Sequence, residues 1–112
     1  LVDAPFEITA QEKRFGIHAG ELETSMMLAI APELVKLDQA VAHFPNFPQT
    51  ETPLFLFGAA STAWLAHDWS ATGVFGDATL GTAEKGQALI EAAVQRLVKL
   101  IQAISDFEVT TG

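Results

Sequence analysis

The residues best suited to chemistry lie in one short stretch, FGIHAGELETS, at residues 15–25. It places His18, Glu21 and Glu23 beside the small residues of a turn, directly before an apolar segment. An imidazole exchanges protons near neutral pH, because its unperturbed pKa is about 6.5. A carboxylate binds a divalent metal ion or orients an imidazole. The pattern is therefore typical of an acid/base or metal site. It also fits a capped helix after a glycine turn with one surface histidine, which the spacing alone favours.

A second candidate cluster is His67–Asp68, which lies between Trp64 and Trp69. Aromatic walls around a polar pair are typical of a substrate pocket, and on this interpretation Trp64 is a substrate-binding residue. Such a patch is more often a partly buried aromatic cluster with a solvated polar tip. The sequence favours that second interpretation.

Three other polar sites are interpreted as structural. His43, in a proline-rich stretch, is expected to be solvated. Asp77 is expected to hydrogen-bond its own backbone in a turn, and Glu84–Lys85 to form the solvated first turn of a helix. The chain contains no GxSxG, GxxxxGK[ST], GxGxxG or HExxH pattern, so these serine-hydrolase, nucleotide-binding and zinc-protease motifs give no support to those functions.

The best-defined element that would position these residues is a helix over residues 82–106. Apolar residues recur there at steps of three and four, which predicts an amphipathic helix roughly 40 Å long. Thr82 is the predicted N-cap, and Glu84 suits the positive end of the helix dipole. Gly86 costs about 1 kcal/mol relative to alanine in a helix, so we expect a close-packing reason for it.

A second helix is predicted at residues 24–31, capped by Thr24 or Ser25, with Pro32 at its end or starting a further turn. Three further segments are predicted to form a strand, a surface loop and a glycine-rich turn that leads into the long helix: residues 53–58, 42–53 and 73–81.

Length and composition narrow the class of protein. A chain of 112 residues predicts one domain or part of one, and 49% hydrophobic residues exclude a disordered tail. A net charge of −8 disfavours nucleic acid and anionic membrane surfaces as partners. The absence of cysteine excludes a disulfide framework and fits a cytoplasmic protein. No apolar run approaches the roughly 20 residues that cross a bilayer, and no signal peptide is expected.

The order of these segments resembles the C-terminal half of the creatininase (creatinine amidohydrolase) family. The resemblance rests on HAGELETS at 18–25, the apolar helix ending in APELV, GVFGDATLGTAEKG at 73–86 and the long terminal helix. Residues 1–112 are accordingly interpreted as the C-terminal part of a single creatininase-like domain. The family implies an α/β fold, an α/β/α layered sandwich with the long helix on a sheet, usually assembled into hexamers.

The resemblance also implies an activity, the metal-dependent hydrolysis of an amide-type C–N bond in a cyclic amide, a formamide or a related small amide. In the family, two divalent ions (zinc, manganese or iron) activate a water molecule. His18 matches the motif histidine and would be the acid/base. Glu23 matches the later glutamate and would lie in or against the metal shell. Glu21, common at its position in relatives, is a catalytic candidate without an assigned step.

The chain departs from the family pattern in ways that matter for function. The family's N-terminal half supplies a Glu-x-His pair, an aspartate and a Gly-His-Gly-Gly-Asn-like segment, and none of these is in this sequence. A complete site would therefore need that half on a second polypeptide, unless this chain is an incomplete copy. Arg14 stands where the creatininase proper has a tryptophan, which argues against creatinine as the substrate. Ile17 and Ala78 replace a common aspartate and proline, which loosens the assignment of subfamily.

Two hypotheses follow. In the first, the chain supplies part of a composite dinuclear metal site in a homo-oligomeric amidohydrolase that acts on a small-molecule amide. In the second, it is a non-catalytic structural or assembly piece of a creatininase-like oligomer. A structural piece should bind no stoichiometric metal even beside its partner, so metal content discriminates between the two.

Overall fold

The computed structural model describes residues 4–46, 60–61 and 63–109. Its four α-helices are α1 (Ala10–Phe15), α2 (Glu21–Ile30), α3 (Ala66–Trp69) and α4 (Ala83–Ser105). Two short strands, β1 (Ala42–His43) and β2 (Gly76–Asp77), pair antiparallel. Three 3-10 turns connect these elements at Pro32–Leu34, Leu37–Gln39 and Ala78–Leu80. The chain thus has the mixed helix-and-strand character and the long C-terminal helix that the α/β prediction requires. The strand predicted at residues 53–58 lies outside the described residues.

Helix α4 forms as the apolar periodicity predicts. The Thr82 side chain caps it by accepting a hydrogen bond from the Lys85 backbone N–H at 3.2 Å, and Glu84 lies in its first turn. The helix has 23 residues, so its predicted bounds were correct to within one residue at each end.

Helices α2 and α4 pack together at a point where only glycine fits. A Cβ at Gly86 would overlap the backbone carbonyl of Ser25 and the Cβ of Ala29. Ser25 is fully buried there; its hydroxyl donates to the Glu21 carbonyl at 2.6 Å and accepts from the Thr82 N–H at 3.1 Å. This confirms the close-packing reason expected for Gly86.

The start and the cap predicted for the second helix were wrong. Helix α2 begins at Glu21 rather than at residue 24, and its N-cap, Gly20, offers no side-chain hydrogen bond. Thr24 and Ser25 lie inside the helix, where their hydroxyls donate to the carbonyls of Ala19 and Glu21. The helix ends at Ile30, just before the 3-10 turn that Pro32 begins, as its proline predicts.

The strand pair joins two segments that the sequence interpretation treated as loop and turn. Ala42 pairs with Asp77 and His43 with Gly76, so the predicted surface loop at 42–53 is a strand at its first two residues. Residues 47–53 of that loop lie outside the described part. The predicted glycine-rich turn at residues 73–81 is confirmed only in part. Gly73 and Gly76 have positive φ (80° and 140°), a region that favours glycine, but Gly76–Asp77 is a strand and Ala78–Leu80 is a 3-10 turn.

The described residues bury few large apolar side chains, chiefly Leu28, Phe75 and Leu89. The radius of gyration is 17.5 Å, whereas a compact chain of this length has about 13 Å. Helix α4 is buried only at Gly86 and Leu89, and all its side chains from residue 93 onward are exposed. Within the described ranges, no helix combines the length and hydropathy needed to cross a membrane.

Candidate functional site

The candidate site forms where the chain passes from α1 into α2. His18 lies in an antiparallel bridge with Phe75: its carbonyl accepts from the Phe75 N–H at 2.8 Å, and its own N–H donates to the Phe75 carbonyl at 3.3 Å. Phe75 is almost completely buried. The backbone of His18 is therefore anchored to the core, while its side chain remains 66% exposed.

Glu23 comes next to His18 because α2 starts immediately after the His18 loop. The Glu23 Oε2 lies 3.6 Å from the His18 Nδ1 and accepts a 2.5 Å hydrogen bond from the Ala19 N–H. A carboxylate at the N-terminus of a helix is also stabilised by the helix dipole. The pair predicted from the HAGELETS motif is thus brought together, with its imidazole and carboxylate both open to solvent.

The backbone between the two residues is strained. Ala19 has φ +52°, in the left-handed region that side chains with a Cβ rarely adopt. Such conformations cost on the order of 1 kcal/mol and persist where surrounding contacts hold them, often at functional sites. Here the Phe75 bridge on one side and Glu23 on the other hold the turn, so the strain lies inside the candidate site.

Glu21 is placed differently from its two neighbours in the motif. Its side chain is only 2% exposed, and its Oε1 accepts a hydrogen bond from the Lys85 Nζ at 2.6 Å. Lys85 also donates to the Leu80 carbonyl at 2.9 Å and lies over the Phe6 ring. Lys85 was therefore wrongly predicted to be solvated. The Glu21–Lys85 ion pair ties α2 to α4.

Glu12 is a buried carboxyl that the sequence interpretation missed. It is 3% exposed; its Oε1 accepts from the Glu21 N–H and its Oε2 from the Asp77 N–H, both at 2.8 Å. Burial raises the pKa of Glu12 above the usual 4.5 of a glutamate, the two backbone hydrogen bonds lower it, and the charges of Glu21 and Asp77 raise it. The net direction is upward.

A weak signal for Glu12 was present in the sequence. Glu12, Gly16 and Gly20 recur every four residues, and both glycines, with Gly76, enclose the carboxyl group. The pattern alone does not distinguish such a cradle from an exposed helix followed by a loop, because Gly76 joins it only through the tertiary fold.

Two cavities adjoin the pair, and both are walled mainly by apolar side chains. One has a volume of about 270 Å³ and reaches Leu89 and Ala93 of α4. The other has about 650 Å³ and reaches Leu34 and Lys36. His18, Glu23 and Met26 line both cavities. A small apolar molecule with one polar group could thus approach the imidazole from either side.

Trp64 lines neither of these two cavities. Its ring packs against Phe75 with a centroid distance of 5.5 Å and a tilt of 49°. Trp64 is therefore linked to the candidate site by Phe75, whose backbone pairs with that of His18. His67 and Asp68 are exposed at 3.5 Å from each other, and Asp68 accepts from the Leu65 N–H at the start of α3. This matches the favoured interpretation of a solvated polar tip.

Two further polar residues have structural partners. Asp77 accepts from the Thr79 N–H and hydroxyl, as expected of a turn residue. His43 is half-buried on β1, with its Nε2 2.8 Å from the Trp69 carbonyl oxygen. The prediction that His43 is solvated was therefore wrong, because pairing with β2 draws it inward.

The donor set fits only part of a metal site. A carboxylate and an imidazole are suitable ligands for zinc or manganese. Among the described residues, no three histidine, aspartate or glutamate side chains lie close enough together to hold an ion. Glu23 and His18 therefore provide at most two ligands, fewer than the three that a catalytic zinc ion takes from protein.

Comparisons of the sequence and of the structure with known proteins identify the same family. The family model of creatinine amidohydrolase, Creatininase, matches residues 2–101. A creatinine amidohydrolase of Pseudomonas putida is 36% identical over 86 residues, which are 76% of this chain and 30% of that protein. A solved structure of creatininase with manganese is 33% identical and matches with a TM-score of 0.57, covering 78% of this chain and 31% of its own.

A further structural match supports the fold alone. A provisionally assigned creatinine amidohydrolase structure from Bacteroides fragilis has a TM-score of 0.69 at 23% identity, covering 92% of this chain and 42% of its own. The chain spans about a third of the length of the relatives named first.

Proposed function

This chain belongs to the creatininase family, and from that premise we propose that it supplies part of the active site of a metal-dependent hydrolase of amide-type C–N bonds. The observation that carries the proposal is the His18–Glu23 pair, with 3.6 Å between Nδ1 and Oε2 on a strained, anchored turn.

His18 is the proposed acid/base. The Glu23 carboxylate beside Nδ1 favours a proton on that nitrogen and directs Nε2 away from α2. Nε2 can then deliver a proton to the leaving nitrogen as the C–N bond breaks, and a positioned group of this kind contributes about 10²–10⁴-fold to the rate. The anchored backbone fixes the point from which the exposed His18 ring extends.

Glu23 is the residue proposed to bind the metal, and its carboxylate oxygens are suitable ligands for manganese or zinc. When bound, a divalent ion supplies an activated water and polarises the substrate carbonyl. The family's two-ion arrangement and its use of iron in some members remain part of the proposal. Within the chain, Glu23 has to share its carboxylate between the Ala19 N–H and any ion.

The proposed substrate is a small amide with an apolar portion, since the cavities beside His18 are walled by Met26, Leu34 and Leu89. Cyclic amides and formamides are both of suitable size. Trp64 is proposed to contribute to substrate binding through its contact with Phe75. Glu21 is proposed to act on catalysis only by fixing the start of α2 through Lys85.

The proposed partner is the remaining part of the creatininase domain, on the same or a separate polypeptide, within a homo-oligomer in the cytoplasm. It would supply the ligands that the described residues lack. The exposed apolar half of α4 offers the surface for it. Denaturing intact-mass spectrometry of the native material shows first whether a second polypeptide accompanies the 12.0 kDa chain.

The decisive experiment compares two histidines with similar surroundings. His18 and His67 are 66% and 76% exposed, with carboxylates at 3.6 and 3.5 Å. We expect His18→Ala to lower amide hydrolysis by the assembled protein at least 100-fold, while His67→Ala leaves it within twofold. Both variants should retain their metal and their circular dichroism. Equal activity in the two variants would remove His18 from the mechanism.

A second candidate function is a non-catalytic piece that assembles a creatininase-like oligomer. The exposed apolar stripe of α4 and the incomplete ligand set favour it. Metal analysis of the native assembly separates the two candidates. Stoichiometric manganese or zinc that is lost in Glu23→Gln supports the hydrolase, and its absence from the unaltered assembly supports the structural role.

A further inference from the structure

The carboxylate of Glu12 joins its own helix to the start of the next helix and to a strand 65 residues further along the chain. It belongs to α1, while its two oxygens accept hydrogen bonds from the N–H groups of Glu21 at the start of α2 and of Asp77 in β2, each at 2.8 Å. Each oxygen therefore holds a different segment to α1.

The same carboxyl group is enclosed by glycines. A Cβ at Gly16, Gly20 or Gly76 would lie within 3.0 Å of a Glu12 side-chain oxygen, closer than real Cβ contacts permit. Gly16 and Gly20 are the two ends of the loop that carries His18 and Ala19. Both ends of that loop thus rest on Glu12, and the Gly16 N–H also donates to the Glu12 carbonyl at 2.7 Å.

A buried carboxyl is a costly way to hold a loop. Removing a charge from water costs several kcal/mol unless hydrogen bonds compensate, and an apolar side chain of similar size fills such a space at lower cost. Glu12 also lines the smaller cavity beside His18 and Glu23. An apolar side chain, however, could not accept from the Glu21 and Asp77 N–H groups, so the carboxyl group fixes the loop ends in a way that packing alone would not.

We infer that Glu12 is a positioning residue for the His18–Glu23 pair. This inference rests on the proposed function for its catalytic consequence, but its geometric content is independent of that function. Glu12 fixes the two ends of the 16–20 loop, and the loop in turn presents the Ala19 N–H to Glu23 and the imidazole to the cavities. A misplacement of about 1 Å at a catalytic group can cost 100-fold in rate.

The test uses Glu12→Gln and Glu12→Asp, with Glu7→Gln as the matched surface control. Glutamine keeps the size of the side chain but replaces one acceptor oxygen by an amino group, which cannot accept from an N–H. Aspartate keeps the charge but is too short to reach both N–H groups. Glu7 is exposed, so the same chemical change there should have no effect.

The main readout is the NMR spectrum of the Ala19 amide and the His18 ring, neither of which is hydrogen-bonded to Glu12. We expect both signals to shift in Glu12→Gln and in Glu12→Asp, whereas the signals of the far half of α4 stay in place. In the assembled hydrolase, kcat should fall about 10- to 100-fold with KM within twofold. Glu7→Gln should match the unaltered protein in every measurement.

Several results would overturn the inference. Unchanged Ala19 and His18 signals in a folded Glu12→Gln chain would show that the loop does not depend on Glu12. A shift in Glu12→Gln that is absent from Glu12→Asp would report the lost charge alone. If neither variant folds, Glu12 is required for the fold as a whole and is not a positioning residue. An unaltered assembly without hydrolase activity would instead refute the proposed function and leave the NMR result standing.

Discussion

At the residue scale, burial separates carboxylates that look alike in the sequence. Glu21 and Glu23 lie two positions apart on α2, so they point to different sides of the helix. Glu21 meets Lys85 in the interior, and Glu23 meets His18 at the surface. Glu12 belongs to neither pair and is held by backbone N–H groups instead. Three glutamates in one region therefore have three different roles.

The Glu21–Lys85 pair gives the first prediction. Lys85→Met removes the partner of a buried carboxylate and should lower the free energy of unfolding by about 3 kcal/mol, since an unpaired buried charge is strongly destabilising. The control is Lys99→Met on the exposed part of α4, which should change the free energy of unfolding by less than about 0.5 kcal/mol. Urea denaturation of the two variants provides the measurement. Equal losses would show that the pair contributes nothing specific.

The raised pKa of Glu12 gives a prediction for pH dependence. An acid whose pKa is higher in the folded than in the unfolded chain binds its proton more tightly when folded. Its contribution to stability is therefore fully present below pH 4.5, the unperturbed value, and is lost as the pH rises through the folded pKa. The charged side chains of Glu21 and Asp77 face the same group and add to the effect.

Unfolding free energies of the unaltered chain and of Glu12→Gln, measured across pH 4 to 8, test this directly. The advantage of the unaltered chain should shrink as the pH rises, because glutamine does not titrate. An advantage that grows with pH would mean that the two N–H hydrogen bonds outweigh burial and hold the pKa down.

At the element scale, the contact between α2 and α4 depends on the absence of a side chain at one position. Gly86 lies against the Ser25 carbonyl and the Ala29 Cβ, and Ser25 links the start of α4 to α2 through the Thr82 N–H. The helix cap and the helix contact are thus made by neighbouring groups. Both are needed to bring Lys85 to Glu21.

The sign of the change in the free energy of unfolding caused by Gly86→Ala tests this packing. In an exposed helix this change stabilises by about 1 kcal/mol. Here the new methyl group would overlap backbone atoms, so we expect a loss of about 1–3 kcal/mol, typical of overpacking. Gln87→Ala, at the exposed next position, should stay within about 0.5 kcal/mol. A gain in Gly86→Ala would show that the two helices can move apart at no cost.

At the scale of the whole molecule, the chain exposes an apolar surface that a folded protein ordinarily covers. The C-terminal half of α4 carries a stripe of large apolar side chains that are 44–66% exposed: Val94, Leu97, Val98, Leu100, Ile101 and Ile104. Contiguous patches of this kind mark interaction sites. The radius of gyration, 17.5 Å, is larger than the roughly 13 Å of a compact chain of this length.

The stripe predicts self-association of the isolated chain. The double variant Leu97→Glu/Ile101→Lys should lower the mass-average size in sedimentation without loss of helix, because both side chains are already exposed. Gln95→Glu/Gln102→Lys places the same charges at exposed polar positions outside the apolar stripe and should associate like the unaltered chain. Equal association of both double variants would assign the contact to another surface.

Much of the fold could be predicted from the sequence because the interactions concerned are local. The extent of α4, its Thr82 cap and the Asp77 turn depend on contacts between residues at most four positions apart or on a simple apolar period. The nearness of His18 and Glu23 follows from one turn leading into one helix. These features need no knowledge of what packs against them.

The tertiary structure alone decided which polar groups are buried and what they bind. The Glu21–Lys85 pair, the Glu12 hydrogen bond to Asp77 and the contact of His43 with Trp69 join residues 26 to 65 positions apart. A charged side chain is costly to bury unless it has a partner, and the fold determines whether that partner is present. For this reason the sequence predicted the motif that carries the candidate site, whereas only the structure revealed the carboxyl group that supports it.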